Sequence, residues 1–202
     1  MRKVDPVKHE EKRQQILAAA GRCFVRDGFR GSTISQICGE AKISAGHLYH
    51  YFANKEAIVG AMFESGLEHI GKSFTEMLES SNALDALIAE FDRAETKRDP
   101  AENTLIIEML AEACRNPAMA EVLRRHSKIF YGIVAGFIRN AQSRGQIDPS
   151  LAPDLAATIL LSIVDGSQTL LVRAPEIDRG QSVEMLKTVI SRFLNPPSES
   201  RS

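Results

Sequence analysis

The sequence predicts an all-α protein, and three observations carry that prediction. Apolar residues recur at helical spacing along nearly the whole chain. No run alternates with period two for long, and no Asn-Gly or Asp-Gly turn joins two β-branched runs. Cap and breaker residues divide the 202 residues into segments of ordinary helix length, roughly nine of them. With 44% hydrophobic and 25% charged residues the chain is in the globular range, which excludes a disordered chain, a collagen and a coiled-coil rod. No apolar run approaches the roughly 18 residues of a spanning helix; the stretch Leu155–Val164 is interrupted by Thr158 and Ser162. The start MRKVDPVKHEEKR has no apolar core of a secretory leader. Cys23, Cys38 and Cys114 are odd in number and widely spaced, so no disulfide framework is expected and the cytoplasm is the natural compartment.

The elements follow in order. Residues 1–9 are polar and read as a flexible arm. A helix from about Glu10 to Arg26 carries Ile16, Leu17, Ala20, Cys23 and Phe24 on one face, and Gly28 ends it. Thr33 with Gln36 forms a capping box opening a short helix that turns Ile34, Ile37, Cys38 and Ala41 inward. Ser44 caps the next short helix, which carries Leu48 and leads to Phe52. Asn54 caps a long helix to about Ser80, burying Ile58, Val59, Met62, Phe63, Leu67, Ile70 and Phe74. Asn82 opens a helix to about Lys97. Asp99-Pro100-Ala101-Glu102 opens another, with Asp at the N-cap, Pro at N1 and Glu at N3. Asn116-Pro117 starts a helix to Arg144, ended by Gly145. Pro153 starts one to about Val172, with Asp165-Gly166 inside it, and the last runs from Gly180 to Leu194. The tail, residues 195–202, reads as disordered.

Thr33 to Lys55 is the stretch that carries chemistry. Two short helices separated by Ala41-Lys42-Ile43 share a small core of Ile37, Ala41, Ile43 and Leu48, the pattern of a helix-turn-helix. Ala45 and Gly46 are small enough for close approach to another surface. His47, Tyr49 and His50 have the length to reach bases and phosphates, and Thr33 sits where helix N–H groups favour a phosphate. Lys55 adds a charge. Residues 1–55 hold ten Lys/Arg against five Asp/Glu, a basic quarter on an acidic body.

These residues resemble the DNA-binding domain of the TetR family of bacterial transcription regulators. The likeness spans Gln14–Met62: ILAAAGRCFVRDGF, T-I-x-x-I, the A-x-I-S turn and the specific string G-H-L-Y-H-Y-F-x-N-K-E. EMLAEACRNP, S-R-G-Q-I-D-P and V-D-G resemble the regulatory half of that family more loosely. The resemblance implies a helix-turn-helix domain at 10–53 and a regulatory and dimerisation domain at 54–194, with 54–80 a connecting helix. It implies a homodimer on double-stranded operator DNA, controlled by a small-molecule effector. Thr33, Ser44, Ala45, Gly46, His47, Tyr49, His50 and Lys55 are the expected DNA contacts. His47 suits a base reader or an exposed bystander, His50 a phosphate contact or a solvated side chain, and Tyr51 either packing or contact. The turn carries Lys42 where the family commonly has Gly; a positive φ there would cost about 1–2 kcal/mol.

In the regulatory half, Phe91, Met109, Glu112, His126, Phe130 and Phe137 are candidate effector contacts. For Glu112 an ion pair with Arg115 is the first reading, and for His126 a core histidine. Two helices are apolar on more than one side, so Leu160, Val164, Leu171, Leu186, Val189, Ile190 and Phe193 are expected to form a four-helix dimer interface. There is no Gly-rich phosphate loop, G-x-S-x-G, C-x-x-C or H-E-x-x-H. His47 and His50 have metal-like spacing without a third ligand. No catalysis, metal or cofactor is expected. The expected function is a repressor; the alternative is a small-molecule- or protein-binding helical module without operator binding.

Overall fold

The computed structural model describes residues 5–97 and 100–195, apart from the side chains of residues 97, 100–102 and 171. The expected cap at Asp99 with Glu102 at N3, the side chain of Leu171, the first four residues and the tail beyond Asn195 lie outside that description. All regular structure among the described residues is helical: α1 (Pro6–Gly31), α2 (Ile34–Ala41), α3 (Ala45–Tyr51), α4 (Lys55–Leu78), α5 (Ala83–Lys97), α6 (Pro100–Ala113), α7 (Pro117–Ser143), α8 (Pro153–Ser167), α9 (Leu170–Arg173) and α10 (Arg179–Leu194).

Two starts and stops differ from the sequence reading. α1 begins at Pro6 rather than Glu10, because Asp5 is its N-cap, accepting from Val7 N–H, and Pro6 takes the N1 position. The expected arm 1–9 is therefore helical from Pro6 onward. The expected helix from Pro153 to Val172 is two: α8 stops at Ser167, and a single turn, α9, follows. Ser167, Gln168 and Thr169 bond back to Val164, Asp165 and Gly166 carbonyls, which closes α8 with tight turns.

The helices form two compact units. The first comprises Met1–Gly66 and Asp99–His126, the second Leu67–Arg98 and Ser127–Ser202. α4 and α7 each contribute to both. In the first unit α1 packs on α2 and α6, and α2 on α3. Its core is built on Ile16, Cys23, Phe24, Ile37, Leu48, Ile58, Val59 and Met119, all essentially inaccessible to solvent. In the second unit α5 packs on α10, over a core containing Phe137, Ile138, Ile147 and Leu194. Gly145 adopts φ 69 and ends α7. Beyond it, Gln142 donates to the carbonyls of Asp148 and Leu151, and Arg144 to those of Leu78 and Ser80.

Candidate nucleic-acid interface

The helix-turn-helix is assembled by caps. Thr33 accepts from Gln36 N–H while the Gln36 side chain accepts from Thr33 N–H, a complete capping box on α2. Ser44 Oγ accepts from His47 N–H and caps α3. Asn54 Oδ1 accepts from Ala57 N–H at the start of α4. Between α2 and α3, Lys42 is at φ 52, ψ 49, the left-handed region, and donates its N–H to Cys38 and Gly39 carbonyls. The turn thus has the conformation that favours glycine, held by a lysine.

Within α3 only Leu48 is buried; Ala45, Gly46, His47, Tyr49 and His50 are all exposed, Tyr49 at 55%. A Cβ built on Gly46 meets nothing within 4 Å, so no neighbour within the chain requires a glycine there. Phe52, after the helix, is buried. Tyr51, left open between packing and contact, is half-buried at the centre of an aromatic group. His9 stacks on it at 4.6 Å, with His47 at 5.5 Å and His50 edge-on at 5.6 Å. Sequence reasoning missed His9 because it placed residue 9 in a mobile arm; the Asp5-Pro6 helix start was the signal.

Lys55 is placed differently from a lysine reaching for phosphate. Its Nζ donates to the Phe29 carbonyl at 2.6 Å and the Ser32 carbonyl at 2.7 Å, and lies 4.5 Å over the Phe29 ring. Burial lowers its pKa, against the opposing charges of Glu56 and Glu112. Gly28 has non-helical φ and ψ and kinks α1, and Lys55 ties the segment beyond that kink, the α1–α2 loop Phe29–Ser32, to α4. α6 holds the same loop from another direction. Phe29 N–H donates to Glu108, and Arg30 pairs with Glu112 at 2.7 Å. Gly28, at φ 70, lies so close that a Cβ would stand 2.8 Å from a Glu108 oxygen. Burial raises the Glu112 pKa, but bonds from Arg30 and Arg115 outweigh it and hold the carboxyl below its ordinary range.

The six candidate effector contacts divide between the two units. Phe91 and Phe130 line a cavity of about 190 Å³ in the second unit, and Phe137 lies in that unit's core beside Phe74. Met109, Glu112 and His126 belong to the first unit. Glu112 pairs with Arg115 as well as Arg30. His126 stacks on Phe63 with centroids 4.4 Å apart, and burial lowers its pKa.

The dimer residues also divide. Leu160 and Ile190 are buried in the second unit's core and, with Val164, line the cavity, while Phe193 packs against that core. Val189 is exposed, and with Leu155, Ile159 and Met185 it leaves α8 and α10 with uncovered apolar residues.

A short helix held by capped ends, presenting small, aromatic and imidazole side chains outward, defines the class: a helix-turn-helix protein that reads DNA. The family model "Bacterial regulatory proteins, tetR family" matches residues 16–62, and "BetI-type transcriptional repressor, C-terminal" matches residues 82–195. The chain belongs to the TetR family and is a DNA-binding transcription regulator. The HTH-type transcriptional regulator UidR of Escherichia coli is 31% identical over 154 residues, covering 76% of this chain and 78% of that protein. The structure of Salmonella enterica GusR is 30% identical with a TM-score of 0.78, covering 91% of this chain and 95% of that one. Bacillus subtilis FadR, solved with stearoyl-CoA, shares the fold at 22% identity, with a TM-score of 0.72 over 90% of this chain and 97% of that one.

Proposed function

We propose that the protein acts in the cytoplasm as a homodimeric repressor, reading a palindromic operator with α3 and released by a small molecule in the second unit. The observation that carries the regulatory part is the cavity beside Phe74, Phe91 and Phe130, in a unit that takes no part in forming the helix-turn-helix. An unfilled apolar space is not what a purely structural unit needs. The uncovered residues Leu155, Ile159, Met185 and Val189 support pairing of α8 and α10 with a second copy. The DNA contacts are Thr33, Ser44, Ala45, Gly46, His47, Tyr49 and His50, with Lys55 acting by holding the loop behind them. In this reading the chain is a regulator and not an enzyme, as its named relatives are.

The effector acts by binding the released pose better than the DNA-bound one. A coupling of about 1–3 kcal/mol would weaken operator binding roughly 5–150-fold, with a reciprocal loss of effector affinity on DNA. The test is a mobility-shift assay on the DNA upstream of its own gene, across salt concentration. Operator binding that falls steeply with salt, in a complex of two chains per site, is expected. No shift at low salt overturns the reading in favour of a binding module without DNA affinity.

A further inference from the structure

The cavity in the second unit has a charge character as well as a size. Its volume is about 190 Å³. A cavity of roughly 150 Å³ accommodates benzene, so this one has room for a single ring with a short side chain. Its walls are aliphatic side chains and the rings of Phe74, Phe91 and Phe130, with one ionisable residue, Glu90. No Lys, Arg or His is among the lining residues. An anionic ligand would leave water and meet, among the lining residues, a single ionisable group of its own sign. A cationic one would meet that carboxylate and phenyl rings, whose π-systems attract positive charge.

Glu90 already holds a cation. Arg93, one helical turn along α5, pairs with it, and also reaches Ser73 Oγ at 3.4 Å. The Arg93 side chain is 47% exposed and the Glu90 side chain 26%. The half-exposed guanidinium can turn into water while a ligand ammonium takes its place on the less exposed carboxylate. The exchange leaves the charge of the site balanced.

We propose that the cavity takes a compact organic cation, an arylalkylammonium with one ring, its body among Phe74, Phe91 and Phe130 and its ammonium on Glu90. The inference rests on the reading of this cavity as the effector site. The neighbouring acid Asp92 is engaged by Lys187 on α10, which leaves Glu90 as the carboxylate facing the cavity.

The test is calorimetric titration of the full-length protein with three probes that share one body: phenethylammonium, the isosteric neutral propylbenzene, and phenylacetate. Phenethylammonium is expected to bind about tenfold tighter than propylbenzene, the size of effect a charged hydrogen bond supplies. Phenylacetate is expected to bind at least tenfold weaker than propylbenzene. Glu90→Gln should bring phenethylammonium down to the level of propylbenzene while leaving propylbenzene within about twofold. Val164→Phe, which fills the space, should weaken both. Phenylacetate binding as tightly as the amine, or an amine affinity unchanged in Glu90→Gln, overturns the charge assignment. If propylbenzene binds and Val164→Phe weakens it but no charge preference appears, the charge inference fails and the cavity stands as a ligand site. If none of the three binds, both fall.

Discussion

The two units of this molecule spend their apolar residues differently. In the first, Ile16, Phe24, Ile37, Leu48, Ile58 and Val59 are sealed, every short helix has a side-chain cap, and the α1–α2 loop is gripped by Lys55, Glu108 and Glu112. In the second, Phe137, Ile138 and Ile147 are as well buried, but Phe74, Phe91 and Phe130 are only partly covered and border a space. A helix that must meet a DNA groove in one pose needs a close-packed seat, because interiors packed to that density have few alternative arrangements. A unit that answers a ligand needs the opposite, a region where the packing is incomplete and can be completed from outside. The phenyl-lined space thus falls in the unit that does not carry the helix-turn-helix.

The largest test of that contrast is a pair of truncations. Phe24→Ala should cost about 3–5 kcal/mol, the loss for a fully buried phenylalanine, and DNA binding should go with it because α1 would no longer seat α2. Phe130→Ala, at a wall that already borders empty space, should cost less than half as much. Urea denaturation of both variants compares them directly, and equal costs would break the distinction between the units.

Next in size is an effect on DNA affinity without a loss of stability. Glycine inside a helix costs about 0.5–1 kcal/mol relative to alanine, and nothing within the chain crowds Gly46. Gly46→Ala should therefore raise the melting temperature slightly and weaken operator binding by about tenfold or more, since a methyl would stand where the groove approaches. Unchanged affinity would remove Gly46 from the contact surface.

Much of the first unit was legible because its signals are local. The capping box of Thr33 and Gln36, the Ser44 and Asn54 caps and the inward set Ile37, Ala41 and Leu48 are written within a few residues of one another, and the structure forms them. The Asp5-Pro6 start is equally local and was lost to the polarity of the segment around it. What sequence could not supply is which side of an all-round apolar helix faces inward. On α8, Leu160 is buried and its neighbour Ile159 is 43% exposed; both are apolar, and only the packing of the second unit's core tells them apart. The candidate effector residues divide between the units for a related reason. Met109, Glu112 and His126 lie on helices with the same apolar spacing as those of Phe91 and Phe130, but helical periodicity carries no information on which unit a face serves.

A pH effect sharpens the same contrast from the first unit's side. Burial against Phe63 lowers the His126 pKa below its ordinary value of 6.5. The unfolded chain then takes up a proton more readily than the folded one. Stability is fully present above pH 6.5 and falls as pH drops from 6.5 toward the folded pKa. His126→Leu should flatten that part of the profile between pH 7.5 and 5.5, measured by thermal melting. A slope that persists unchanged in the variant would assign the acid sensitivity elsewhere.

The smallest effect concerns the turn between α2 and α3. Lys42 is the one described non-glycine residue at positive φ, and an L-residue in that region carries about 1–2 kcal/mol of steric strain. Lys42→Gly would relieve it, but glycine also gives the unfolded chain more freedom, which takes back roughly 0.5–1 kcal/mol. The net gain should be about 0.5–1 kcal/mol, visible as a small rise in denaturation midpoint with an unchanged slope. The Lys42 side chain is exposed, so its removal takes away a positive charge near the DNA-reading face. Operator affinity should then weaken modestly at low salt and converge with the wild type at high salt. A variant that gains stability and loses affinity in this salt-dependent way shows that the strained lysine is kept for its charge. One that gains stability with affinity unchanged at every salt shows that the strain has no role in binding, and one that gains none shows that the turn is relaxed around its lysine.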